Sequence, residues 1–169
     1  MRIIKYFMLI LILIFSSLLG KLLSKKYSNR LKELEEMKTA LNILKTKIKF
    51  TYSPLPEIFE EISEKQKGNI GKIFKKAKEN MKNNTADEAW KKAISEEKNN
   101  LIDEDRYTIK NLSKMLGQTD IEGQISQIEI TEKFLEIQIQ EANIEKQKNE
   151  KLYSKLGVTI GLAIVIILT

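Results

Sequence analysis

The stretch IIKYFMLILILIFSSLLGKLL, residues 3–23, decides the class of this fold. Residues 6–20 carry no charge, and the ammonium groups of Lys5 and Lys21 can reach a polar boundary along their own aliphatic stems. As a helix the stretch spans roughly 31 Å at about 1.5 Å per residue, close to the thickness of the hydrocarbon core of a bilayer. It predicts a transmembrane helix over residues 3–23.

The same stretch has an alternative interpretation as a secretory signal peptide. Arg2 and Lys5 would form its basic start and residues 7–15 its apolar part. A cleavage site of small residues is poorly formed around residues 16–20. A retained anchor is therefore favoured, and an extracytoplasmic helical structural protein with a cleaved signal peptide is kept as the alternative.

The chain ends in a second uncharged run, residues 156–169. If the helix enters lipid at Leu152, with Tyr153 at the interface and Lys151 and Lys155 snorkelling, it spans about 27 Å. A helix that is apolar on all sides is rarely accommodated in a small globular protein. Residues 152–169 are therefore predicted as a second transmembrane helix, with membrane lipid as a partner.

Cations are concentrated at the ends of the two runs that face the middle of the sequence. They are Lys21, Lys25, Lys26 and Arg30 after the first run, and Lys146, Lys148, Lys151 and Lys155 around the start of the second. Because cytoplasmic loops of membrane proteins carry the excess of Lys and Arg, residues 24–151 are predicted to be a cytoplasmic domain.

Apolar residues between the two runs recur at helical spacing. Leu34, Met37, Leu41, Leu44 and Ile48 alternate by three and four residues, which indicates one stripe of a helix that runs unbroken to Phe50. Similar stripes predict helices near residues 55–68, 70–81, 85–99, 102–116 and 121–169. Thr85 followed by Glu88 predicts a capping box at the start of the third of these helices. The predicted fold is an all-α antiparallel helical bundle in which two long helices are continuous with the N- and C-terminal transmembrane segments.

Two polar turns are the candidate sites of partner contact. Pro54 disfavours helix at Ser53, so Ser53 is predicted as a helix cap and Pro54 as the first helical residue. Gly117 suits a left-handed position at a helix end, and Asp120 can cap the next helix. The residues predicted to reach a partner are Ser53, Pro54, Leu55, Pro56, Leu116, Gly117 and Asp120.

The composition excludes most compact catalytic sites. Without Cys or His the chain has no thiolate zinc site, no Cys nucleophile and no imidazole base. Residues 103–105 are three carboxylates that diverge by about 100° each on a helix, so they predict a solvated face rather than a metal site. Trp90 is in phase with Ala93 and Ile94 and is predicted to lie in the core. We expect no enzyme activity, cofactor, nucleic acid or small-molecule substrate.

Several motifs stand in a shared order along the chain. They are Tyr52-Ser53-Pro54-Leu55-Pro56, Ala89-Trp90, Leu116-Gly117-Gln118-Thr119-Asp120, and Lys148-Asn149-Glu150-Lys151 followed by Leu156-Gly157. In this order and spacing the chain resembles the stage III sporulation protein AB family over essentially its full length.

The resemblance implies a structural component, without catalytic residues, of the channel-like apparatus that links mother cell and forespore during engulfment. It places the protein in the mother-cell membrane facing the forespore. The helical domain of the family is similar to the cytoplasmic domain of type II secretion platform proteins. A secretion-type ATPase and other membrane proteins of the same sporulation operon are therefore the implied partners. Platform proteins generally carry two such domains and three spans, whereas this chain has one domain and two spans.

Overall fold

The computed structural model describes the backbone of residues 2–51 and 53–168. Within that range, the side chains at residues 2–6, 9, 10, 12, 13, 17, 154 and 168 are outside the described set. The interface role predicted for Lys5 therefore lies outside the described residues, as does Tyr52. Every secondary-structure element in the described part is helical, which confirms the all-α fold.

The first and last helices are long, with 49 and 48 residues, and four short helices lie between them in the sequence. The elements are α1 (Arg2–Phe50), α2 (Leu55–Lys65), α3 (Asn69–Asn80), α4 (Ala86–Glu96), α5 (Asp103–Asn111), a 3-10 turn (Leu112–Lys114) and α6 (Ile121–Leu168). The predicted capping box at Thr85 is present: the Thr85 hydroxyl accepts from the Glu88 amide at 3.3 Å, and the Glu88 carboxylate accepts from the Thr85 amide at 3.2 Å.

The chain folds into two compact units, residues 30–140 and residues 1–29 with 141–169. The core of the first unit is an aromatic cluster of Phe59, Phe74 and Trp90, with ring centroids 5.0–5.5 Å apart. Trp90 is 0% exposed and its indole nitrogen donates to the Ile109 carbonyl at 2.8 Å, so its predicted core position is confirmed.

In the same unit, α1 and α6 run antiparallel. Lys38 forms an ion pair with Glu136 at 2.8 Å, and Lys45 forms one with Glu132 at 2.5 Å, so partner numbers fall as residue numbers rise. The apolar stripe predicted on α1 is buried, as are Ile128 and Leu135 of α6.

In the terminal unit, 1–29 with 141–169, the backbones of α1 and α6 approach closely. The Ser16 hydroxyl donates to the Gly157 carbonyl at 2.6 Å. A β-carbon at Gly20 would lie 2.5 Å from the Tyr153 carbonyl oxygen, so only glycine fits there. Among the described residues, none of the helices meets the length and apolarity that crossing a membrane requires.

The start of α2 differs from the prediction by one residue. Pro54, and not Ser53, is the cap, and its carbonyl accepts from the amides of Glu57 at 3.0 Å and Ile58 at 3.2 Å. Helix α2 begins at Leu55, and Pro56 lies in the first turn, where an amide hydrogen has no partner to lose.

Candidate partner-contact and membrane-interface sites

The two predicted partner-contact turns come together in the 30–140 unit. Gly117 has φ 69°, the left-handed conformation predicted for it. A β-carbon at Gly117 would lie 3.2 Å from Leu55 Cδ1 and 3.8 Å from Ala86 Cβ. The turn before α2 and the turn before α6 therefore form one surface, which we call the turn pair (residues 53–56 and 116–120).

The turn pair is largely open to solvent. Pro54, Pro56, Gly117 and Asp120 are exposed, Ser53 and Leu55 are half-buried, and Leu116 is buried. The burial of Leu116 gives it a core role and leaves no side-chain surface for a partner. Next to the turns along the chain, Phe50 is 68% exposed and Met115 is 37% exposed, so two large apolar side chains adjoin the polar surface.

Local hydrogen bonds fix the second turn. Asp120 Oδ1 accepts from the Gly123 amide at 2.9 Å, so its predicted capping role is confirmed. The Gln124 side chain accepts from the Gly117 amide at 3.2 Å and donates to the Thr119 carbonyl at 3.0 Å. A turn whose polar groups are bound in this way presents its exposed residues in one arrangement.

A carboxylate links α4 to the 3-10 turn that precedes Met115. Asp87 accepts from the Lys91 ammonium at 2.7 Å and from the Ser113 hydroxyl at 2.5 Å. These two hydrogen bonds, that of Lys91 first, hold the pKa of Asp87 below its ordinary value. The ionised form of Asp87 therefore stabilises the link between α4 and the 3-10 turn.

The prediction of a solvated face at residues 103–105 is wrong for Asp105. Its carboxylate is buried and accepts from Arg30 Nε at 2.8 Å, from Arg30 Nη2 at 2.9 Å and from the Ile102 amide at 3.0 Å. Among the described residues no group of three or more His, Cys, Asp or Glu side chains could hold a metal ion. Asp105 serves as the counter-ion of a buried arginine.

A second buried carboxylate joins three segments. Glu33 accepts from the Asn69 side chain at 2.7 Å, and from the Asn100 amide and side chain at 2.6 Å each. Neither carboxylate centre is predicted above. The position of Arg30 in the helical repeat is a signal for the first of them, because Arg30 precedes Leu34 by four residues and so continues the apolar stripe of α1.

Four of the five predicted interface residues lie in the described part of the terminal unit. The exposed side chains of Lys21, Lys151 and Lys155 line one cavity, and Tyr153 is half-buried against Tyr27 with ring centroids 6.3 Å apart. Burial, and then the hydrogen bond and charge of the Tyr153 phenol, raise the pKa of Tyr27. Three of the five predicted interface residues therefore share one surface.

Comparisons with known proteins indicate relatives in sporulation. Residues 5–169 match the sequence profile of the family described as stage III sporulation protein AB. Stage III sporulation protein AB of Bacillus subtilis (strain 168) is 23% identical over 150 residues, which are 86% of this chain and 88% of that protein. A solved structure of stage III sporulation protein AB aligns with a TM-score of 0.65 at 17% identity, covering 71% of this chain and 98% of that one. The likeness in structure shows a shared fold.

Proposed function

The chain belongs to the stage III sporulation protein AB family, whose members are sporulation proteins, and on that premise we propose that it is a non-enzymatic membrane scaffold. It would belong to a secretion-like channel apparatus between mother cell and forespore. Residues 3–23 and 152–169 would be its membrane anchors, and the turn pair would dock a cytoplasmic secretion-type ATPase. Other membrane proteins of the same operon would be its neighbours in the membrane.

One observation carries the membrane part of the proposal: the terminal unit is packed inside out. Among the side chains described in this unit, the buried residues are small, namely Gly20, Ala142, Gly157 and Gly161, whereas large apolar side chains point outward. The exposed ones include Phe7, Phe15, Leu18, Leu22, Ile160, Ile166 and Ile167. In water such a surface would aggregate, but in lipid it is solvated, and small residues at the interface are typical of membrane helix pairs.

A reporter fusion tests the orientation. Alkaline phosphatase, active only outside the cytoplasm, is inserted after Asn83 in the exposed loop between α3 and α4, and a cytoplasm-active fluorescent protein is inserted at the same place. We expect fluorescence without phosphatase activity. Phosphatase activity alone would refute the cytoplasmic assignment and favour the extracytoplasmic protein with a cleaved signal peptide.

A pair of matched substitutions tests the docking surface. Phe50→Asp alters an exposed phenylalanine beside the turn pair, and Phe134→Asp alters one that is 54% exposed on α6, roughly 21 Å along the helix from Asp120. Apolar anchors at an interface cost about 2 kcal/mol or more when lost. In lipid nanodiscs we expect Phe50→Asp to weaken binding of the ATPase about 30-fold, and Phe134→Asp to leave it unchanged. Equal effects of the two variants would contradict docking at the turn pair.

A further inference from the structure

A cavity opens in the terminal unit at the polar ends of the two uncharged runs. Its volume is about 490 Å³, and its lining comes from both long helices: Lys21 and Ser24 of α1, and Glu150, Lys151 and Lys155 of α6. The cavity is open to solvent, and its volume is sufficient for a phosphate group.

The charge of the lining favours an anion. Three lysines and one glutamate line the cavity, so its lining carries two positive charges in excess. Within the described part of the chain, Lys21, Lys151 and Lys155 take part in no ion pair. Like charges along one cavity disfavour one another, and a bound anion reduces that cost.

The donors of the lining favour a tetrahedral oxyanion. Each lysine offers three rotatable N–H donors, which can reach different oxygens of one phosphate. The Ser24 hydroxyl already donates to the Lys21 carbonyl at 2.9 Å, so the lysines supply the donors for a ligand. Basic pockets between membrane helices on the cytoplasmic side commonly hold phosphate-bearing lipid headgroups.

We propose that this cavity binds a phosphate group, carried either by the headgroup of an anionic phospholipid or by free phosphate. The inference rests on the proposed membrane insertion of residues 3–23 and 152–169, because the cavity would then lie at headgroup level. Bound phosphate would join α1 and α6 through their lysines and fix the terminal unit at the lipid surface.

Matched triple variants of the full-length protein test the cavity. The cavity variant carries Lys21→Gln, Lys151→Gln and Lys155→Gln, and the control carries Lys25→Gln, Lys26→Gln and Lys148→Gln, which remove the same charge outside the cavity lining. Binding of fluorescent phosphatidylglycerol is measured in phosphatidylcholine nanodiscs. We expect the cavity variant to bind at least tenfold more weakly than the control. Equal weakening in the two variants would overturn the proposal, because it would indicate diffuse surface attraction.

Two further measurements distinguish the sources of the phosphate and test whether the ligand is negatively charged. Inorganic phosphate that displaces the lipid probe from the natural protein, but not from the cavity variant, would indicate free phosphate as a ligand of the same cavity; no displacement would indicate the lipid headgroup. Glu150→Gln removes the carboxylate from the lining and should tighten binding of phosphatidylglycerol two- to fivefold. Unchanged or weaker binding by Glu150→Gln would contradict an anion in this cavity.

Alkaline carbonate extraction distinguishes failure of the inference from failure of the proposed function. A protein that leaves the membrane fraction in carbonate would refute membrane insertion, and with it the premise of the cavity proposal. A protein that stays in the membrane, and whose two triple variants bind the lipid equally, would refute the cavity alone.

Discussion

Replacing Asp105 by Asn should destabilise the 30–140 unit by about 3 kcal/mol. The Asp105 carboxylate receives three hydrogen bonds, two from Arg30 and one from the Ile102 amide, and the side chains of the ion pair are 5% and 0% exposed. Removing one member of a buried ion pair usually costs about 3–5 kcal/mol, since the other charge stays buried without its partner. Asparagine keeps the shape and one acceptor oxygen, so the loss should lie at the lower end.

The chain provides its own probe for this measurement. Trp90 is its single tryptophan and lies in the core of the unit, so its fluorescence reports unfolding in urea for the full-length protein in detergent. With a denaturant slope of about 2 kcal/mol/M, a loss of 3 kcal/mol shifts the midpoint by about 1.5 M. A loss under about 1 kcal/mol would refute a buried charge at Arg30.

Two further variants isolate the charge from the packing. Arg30→Met combined with Asp105→Leu removes both charges, and replacing a buried ion pair by apolar groups is often neutral, so most of the stability should return. Lys65→Gln is the control, because its ion pair with Glu61 is exposed and should contribute less than about 1 kcal/mol. A double variant as unstable as Asp105→Asn would show that shape, and not charge, decides the site.

Three other substitutions have expected outcomes. Trp90→Ala should cost about 3–5 kcal/mol, measured by circular dichroism during urea unfolding, and an unchanged midpoint would contradict its core position. Gly117→Val should cost about 2 kcal/mol, because a β-branched residue is strained at φ 69° and would press on Leu55; a cost equal to that of an exposed helix substitution would contradict the strain. The lowered pKa of Asp87 stabilises the fold above the unfolded pKa of about 3.9, and this contribution is lost as pH falls through the folded value. Asp87→Asn should therefore flatten the fall in melting temperature below about pH 4, and an unaltered pH profile would contradict a role for its bond with Lys91.

The sequence predicts the helix positions because each helix has an apolar stripe and because capping or helix-breaking residues lie near its ends. The α1 stripe, the capping box at Thr85 and the left-handed Gly117 are all local signals, and the structure has each of them where the pattern predicts it. The start of α2 was displaced by one residue since two prolines, Pro54 and Pro56, each suit the first turn. Local sequence does not decide between them.

The buried charges are not predicted when charged residues are considered without their position in the helical repeat. Charge alone places Arg30 among the cations that flank the first uncharged run, and Asp105 among solvated carboxylates. Each nevertheless continues an apolar stripe, Arg30 ahead of Leu34 and Asp105 between Ile102 and Ile109. A single ionised residue in phase with a core stripe is costly to bury alone, so two of opposite sign predict each other. The meeting of the two turns could not be predicted in this way, because it depends on how the helices pack.

The ion pairs between α1 and α6 contribute to register more than to stability. Lys38 and Glu136 are both more than 40% exposed, so their pair adds about 0–1 kcal/mol, whereas the apolar stripes supply most of the attraction. A stripe that repeats every seven residues would also allow a slip by seven. After such a slip Lys45 would face Ile125 or Ile139 in place of Glu132. Charges that disfavour such a slip add little to the free energy of unfolding. They serve the proposed function nevertheless, because a scaffold must hold its partners at one spacing.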